Sequence, residues 1–281
     1  MPSHLHTTQL AALARRYARV DQRWLPVPAE LDAAIAADAG LAAAARAARV
    51  GLVGELTGHF TFRERLIEAM LAVPRERFVL PEDIAASADD TPVALDGAGH
   101  ATVSAPHAYL LTYELLGLAE GDHYLELGTG TGYGAALARR IVGPRGSVTS
   151  IEIDPALHAR ARRLLGVDDA ASDGEPGRDA GVTLLLGDGR TLARRILSAD
   201  LGGVGGAGGA SGVIPRRIAF TYALREAPVE IEGVLPEGAR LVAPVGDSGE
   251  GQELVRVERR GGGLRREGHG AVRYVAERTP G

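Results

Sequence analysis

The chain contains neither cysteine nor lysine, so all 31 of its lysine-plus-arginine positions are arginine in a sequence of 281 residues. Without cysteine there is no disulfide, no thiolate nucleophile and no cysteine metal site. Without lysine there is no Schiff-base chemistry. The abundance of Ala, Gly and Arg reads as coding bias, and no function is attached to it. No stretch reaches the roughly 18 uninterrupted apolar residues of a membrane span. The first twenty residues lack a basic segment followed by an apolar core, and the alanine-rich stretch 33–50 is broken by Asp38, Arg46 and Arg49. A cytoplasmic protein without a membrane partner is the expectation. Positive charge is also short: the formal net charge is −5 and the pI about 5.9. That argues against nonspecific nucleic-acid binding, which needs a basic surface to displace counterions.

What is present is enough apolar material, 45% of residues, for a full core. Residues 1–60 read as a helical N-terminal extension, with Leu10, Leu13 and Tyr17 at helical spacing. Residues 61–281 read as the main domain. Its first segment, 62–80, carries Leu66, Ile67, Met70, Leu71 and Val73 before Pro74, an amphipathic helix ended by a proline. From His107 onward helix and strand alternate, which predicts an α/β fold, a doubly wound and mostly parallel sheet. Helices are expected over 108–118, 131–141, 155–165, 190–197 and 227–234. Strands are expected over 123–127, 147–151, 182–186 and 217–221, with later ones near 240–244, 253–258 and 271–276. Two polar stretches, about 167–181 and about 200–214, read as surface insertions, the second a flexible linker by its glycine content.

Strand 123–127 runs into LELGTGTGYGAALARR. Gly128, Gly130 and Gly132 allow a tight turn and close approach of a ligand to the amides of a helix N-terminus. The glycines alone also fit a dinucleotide fingerprint, GTGYGA. Glu126 changes the balance, because a carboxylate at the strand's end suits a cationic amino-acid moiety and is awkward beside a pyrophosphate. About twenty residues on, Glu152 ends a strand where an acid accepts hydrogen bonds from ribose hydroxyls. Asp154 precedes Pro155 and reads as a helix cap. Asp188, in LLLGDGR, ends a third strand and suits an adenine amino group, with helix capping as the bland alternative.

This series of an acid before a glycine turn, a ribose acid and an adenine acid resembles the class I methyltransferases, whose fold is Rossmann-like. The segment GHATVSAPHAYLLTYELL, after AMLAVPRERFVLPED and before GARLVAPVG and Gln252-Glu253-Leu254, narrows the resemblance to the protein-L-isoaspartate O-methyltransferases, over about 66–276. The resemblance implies S-adenosyl-L-methionine as cofactor and a protein or peptide bearing isoaspartate as substrate. It implies Ser104 in the active-site role, and Ala101, Thr102, Val103 and Ser104 against cofactor and substrate. It further implies Glu126, Gly128, Thr129, Gly130, Gly132, Tyr133, Glu152, Ile153, Asp188, Gly189 and Gln252 as cofactor-binding.

Methylating a carboxylate fits a site with little chemistry, since a group of pKa near 4 is already ionised and needs no general base. His107 is therefore read as a residue of the first helical turn, and Ser104 also has a bland alternative as that helix's cap. No H-x-x-x-H pattern or acidic cluster suggests a metal. The sequence departs from the family at Pro215-Arg216-Arg217 and at Tyr222-Ala223-Leu224-Arg225, where relatives carry an aromatic-Asp pair and a run of small residues. Three alternatives stay open: methylation of an aspartate in a dedicated precursor peptide, a catalytically weakened cofactor-binding homologue, and a nicotinamide-dependent oxidoreductase. No oligomeric state follows from the sequence.

Overall fold

The structure is a computed structural model that describes residues 39–96, 99–167, 181–198, 213–247 and 251–278. Most of the expected N-terminal extension and of both polar insertions lies outside the described residues. The chain divides into two compact units, one ending at Leu111 and the other beginning at Thr112.

The first unit contains helix α1 (Ala39–His59) and helix α2 (Glu64–Ala72). Helix α2 buries Leu66, Ala69 and Met70, and stops where Val73, the residue before Pro74, turns extended. Short 3-10 turns at Arg75–Arg77, Pro81–Asp83 and Ala85–Ala88 follow. Strands β1 (Val93–Ala94) and β2 (Thr102–Val103) then pair antiparallel. An ion pair between Arg49 and Glu76 ties α1 to the first of these turns. Helix α3 (Pro106–Leu116) begins two residues earlier than expected. Its first turn is capped by the Asp90 carboxylate, which accepts from the His107 amide at 2.9 Å.

The second unit is a seven-stranded sheet with helices between its parallel strands. The strands are β3 (His123–Leu127), β4 (Ser147–Glu152), β5 (Val182–Leu186), β6 (Arg217–Phe220), β7 (Arg240–Asp247), β8 (Gly251–Arg260) and β9 (Gly263–Val272). They lie in the order β5-β4-β3-β6-β7-β8-β9, parallel from β5 to β7 and antiparallel beyond. Helices α4 (Tyr133–Val142), α5 (Pro155–Leu165) and α6 (Gly189–Leu197) supply crossovers, and α7 (Val229–Glu232) is a single turn. The chain proceeds outward from β3 in both directions. The connections after β3 and β6 therefore part, opening a crevice at their carboxyl ends, where open α/β sheets bind ligands.

Side-chain alternation explains the layers. Leu125 and Leu127 point to one face of β3, where with Ile151, Ile218, Phe220 and Leu241 they meet Ala193, Ile196 and Leu197 of α6. Each such buried Leu or Ile contributes roughly 1.5–3 kcal/mol. Tyr124 and Glu126 point to the other face. There Tyr124 packs edge-on against Tyr113, with ring centroids 5.8 Å apart, and the Tyr113 hydroxyl donates to the Gly134 carbonyl at 2.8 Å.

Several boundaries differ from expectation. The helix after the glycine turn starts at Tyr133, because Gly132 at φ +92° is left-handed and cannot be its first turn. The helix expected over 227–234 shrinks to α7. The strand expected near 271–276 is instead β9, with residues beyond it reduced to an isolated bridge between Ala223 and Ala276.

Candidate cofactor site

The glycine turn is forced by what surrounds it. Gly128 has φ +99°, and a Cβ there would lie 2.2 Å from Thr221 Oγ1 and 2.9 Å from Tyr222 Cδ1. Thr221, just past β6, holds the turn from beneath: its amide donates to the Leu127 carbonyl at 3.0 Å and its hydroxyl to the Gly128 carbonyl at 2.6 Å. Gly130 is also left-handed at φ +57°.

Glu152, at the end of β4, faces this turn. Its Oε2 accepts from the Gly130 amide at 2.7 Å, and Oε1 accepts from the amides of Ile153 and Asp154, each at 3.0 Å. Burial pushes its pKa up, against the pull of those amides. A carboxylate offers about four acceptor positions, so a ribose hydroxyl can still be accepted. Asp154 caps α5 through the amides of Ala156 and Leu157 at 2.8 and 3.2 Å and pairs with Arg278 at 2.9 Å.

Glu126 is almost fully buried, with 1% of its surface exposed. Its Oε2 accepts from the Ser150 hydroxyl at 2.6 Å, and that hydroxyl lies 2.6 Å from Thr129 Oγ1 in the turn. Burial, which outweighs the Ser150 bond and is reinforced by Glu152, raises the Glu126 pKa to about 8. A buried carboxyl with only hydroxyl partners keeps its proton; a cation beside it would release that proton. Asp188 caps α6, its Oδ1 accepting from the Thr191 amide at 2.8 Å. The capping role is thus real, and Oδ2 is left for a ligand.

Thus Glu126, Gly128, Thr129, Gly130, Gly132, Tyr133, Glu152, Ile153, Asp188 and Gly189 gather at the carboxyl ends of β3, β4 and β5. Gln252 does not join them. It lies on β8, three strand spacings and about 14 Å from β3, and its amide is engaged with the backbone of Tyr274, accepting at 2.6 Å and donating at 3.1 Å. It supports the segment after β9 instead.

Ala101, Thr102, Val103 and Ser104 belong to the first unit. The Ser104 amide donates to the Tyr109 hydroxyl at 3.2 Å, and the Ser104 carbonyl accepts from Arg75 at 3.1 Å. The Ser104 side chain makes no hydrogen bond to a described residue, so it is not the helix cap; Asp90 is. His107 Nδ1 lies 2.9 Å from the Asp90 carboxylate. Sequence reasoning missed Arg75, Ser150 and Thr221: Arg75 lies within the quoted segment AMLAVPRERFVLPED without a role marked for it, and neither Ser150 nor Thr221 has a periodicity that singles it out. Thr131 was missed as well: its hydroxyl is buried within the turn and finds no partner among the described residues.

An amide-rich turn, two carboxylates with acceptor capacity remaining and an unsatisfied hydroxyl fit a ribosyl and amino-acid-bearing ligand. The model of the protein-L-isoaspartate(D-aspartate) O-methyltransferase family matches residues 51–195. The chain belongs to that family. A protein-L-isoaspartate O-methyltransferase of Archaeoglobus fulgidus is 36% identical over 233 residues, covering 81% of this chain and 91% of the relative. One from Methanopyrus kandleri is 35% identical over 237 residues, covering 82% and 91%.

Among solved structures, a protein-L-isoaspartate O-methyltransferase matches with a TM-score of 0.65 at 24% identity, over 83% of this chain and 66% of that one. A Plasmodium falciparum structure titled as a family methyltransferase in complex with S-adenosyl-L-homocysteine matches with a TM-score of 0.61 at 18% identity, over 80% and 96%. These two likenesses establish the fold. As a family member, the chain uses S-adenosyl-L-methionine.

Proposed function

We propose that this chain methylates the α-carboxylate of L-isoaspartyl residues in proteins or peptides, the first step of their repair, with Ser104 orienting the acceptor. Family membership supports the acceptor. The observation that carries the assignment of roles is the Glu152 carboxylate, which meets the Gly130 amide at the carboxyl end of the sheet.

The bound cofactor supplies an electrophilic methyl group on a sulfonium. Glu152 accepts from the ribose, and Glu126 balances the ammonium through a carboxylate screened by Ser150. The acceptor carboxylate is ionised at neutral pH, so no residue must remove a proton. The Ser104 hydroxyl, which makes no hydrogen bond to a described residue, would orient the acceptor carboxylate by donating to one of its oxygens. Alignment and exclusion of water then do most of what such a site can offer. His107 and Asp90 act on the helix terminus and take no part in proton transfer. The ester formed loses methanol spontaneously to give a succinimide.

The division into an extension over 1–60 and a methyltransferase domain over 61–281, and a cytoplasmic setting, belong to the same proposal. The test is transfer of labelled methyl to paired peptides carrying isoaspartate or aspartate at one position. Base-labile label on the isoaspartyl peptide alone is expected. Label on the aspartyl peptide alone would transfer the reading to a dedicated aspartate substrate.

A further inference from the structure

Tyr222 stands two residues past the end of β6, in the run Tyr222-Ala223-Leu224-Arg225. In the fold this position is the far wall of the crevice opened between β3 and β6. A Cβ on Gly128 would meet the Tyr222 ring at 2.9 Å, and a Cβ on Gly189 would meet its hydroxyl oxygen at 3.0 Å. The tyrosine therefore reaches from the glycine turn after β3 to the first residue of α6, along the line of residues that hold the cofactor.

The ring is held in place. Behind it, Phe220 packs edge-on with centroids 5.6 Å apart and planes at 87°. On one side, Thr221 is bonded to Leu127 and Gly128. On the other, the Ala223 amide donates to the Val275 carbonyl at 2.7 Å, and the Leu224 amide to the Pro244 carbonyl at 2.9 Å. Arg190, next to Gly189, pairs with Glu277 at 2.8 Å and with Glu230 at 3.2 Å. Burial, with the Glu277 carboxylate adding to it, pushes the phenol pKa upward, so the ring stays neutral. A pinned, half-buried aromatic between two glycines is a wall and not a swinging plug.

We propose that Tyr222 is a cofactor-contacting residue, its ring forming a fixed aromatic wall against which S-adenosyl-L-methionine and its demethylated product pack. The inference rests on the glycine turn being the cofactor cradle. The ring gives the crevice aromatic contact area.

Calorimetric titration of the full chain with S-adenosyl-L-homocysteine tests it without turnover. Tyr222→Ala is expected to weaken binding about tenfold, and Tyr222→Phe to remain within about threefold of the parent chain. Because the alanine variant also loses packing against Phe220, Tyr222→Leu is titrated beside it, with folding checked by circular dichroism; it too is expected to bind more weakly than the parent. Parent-like affinity in the alanine and leucine variants overturns the proposal, and so does tighter binding, which would mean that the ring obstructs the crevice. Absence of binding by the parent chain would instead overturn the cofactor cradle, and the inference with it.

Discussion

Arg75 donates through Nη2 to the carbonyl of Ser104 at 3.1 Å. The same guanidinium, 1% exposed, reaches the carbonyls of Ser87 at 3.1 Å, Asp89 at 3.0 Å and Thr91 at 2.6 Å. One planar group with five donors thus fixes the backbone of the 86–91 segment to the end of β2, where Ser104 stands. A lysine keeps the charge and cannot reproduce the fork. Arg75→Lys should lower stability by about 2 kcal/mol. It should also reduce kcat/KM for an isoaspartyl peptide about tenfold while the affinity for S-adenosyl-L-homocysteine stays unchanged. Urea titration, peptide kinetics and calorimetry separate these effects. Equal losses of peptide turnover and cofactor affinity would mean that Arg75 serves the fold generally.

Ser104 and Glu152 should divide their effects. The Ser104 hydroxyl engages no described residue, so removing it costs the fold little. Ser104→Ala should lower kcat at least tenfold with S-adenosyl-L-homocysteine affinity nearly intact. Glu152→Ala strands the Gly130, Ile153 and Asp154 amides that now donate to it, and should weaken cofactor binding by a factor of about 100. Calorimetry beside steady-state kinetics reads both, and equal loss of affinity in the two variants would contradict the division of roles.

Gly128→Ala puts a methyl group where Thr221 Oγ1 would be 2.2 Å away, on a backbone at φ +99°. The left-handed cost and the clash add, for about 2 kcal/mol or more of lost stability. A substitution at Gly121, also left-handed at φ +83° but with nothing within 4 Å, should cost only the conformational part. Comparing Gly121→Ala with Gly128→Ala by thermal unfolding isolates the contact with Thr221, and equal losses would remove it from the account.

Strands β3 and β5 and helix α5 were legible to the residue because their signals are local. These strands are short runs buried along most of their length, and Asp154-Pro155 with Gly166 marks a helix at both ends. Strand β9 was not legible. Its sequence GLRREGHGAV is polar, largely exposed and lies at the sheet edge, and backbone pairing to β8 makes it a strand where side-chain pattern would not. The same holds at the site. The acid and glycine series can be read along the chain, whereas the contact between Thr221 and the turn joins residues 93 positions apart. Gln252 shows the converse, a residue whose expected role followed from resemblance and whose amide the fold gives to Tyr274.

Glu126 should couple cofactor binding to proton release. Its carboxyl is faced by Ser150 and Glu152 from β4 and by Tyr124 from its own strand, and its pKa is raised to about 8 by burial first. Between the ordinary carboxyl value near 4.5 and 8, the folded chain keeps a proton that the unfolded chain has lost. The Glu126 contribution to stability therefore falls as pH rises through this window, with the full contribution below it and a plateau above. An ammonium placed beside the carboxyl reverses the preference. At pH 7 a group titrating near 8 is about nine-tenths protonated, so binding should release close to one proton. Calorimetry with S-adenosyl-L-homocysteine in buffers of different ionisation enthalpy measures that number. Glu126→Gln should abolish the Glu126 share of the release and flatten the corresponding fall in stability between pH 5 and 8. Proton release equal in the variant and the parent would show that the cation is balanced elsewhere in the turn.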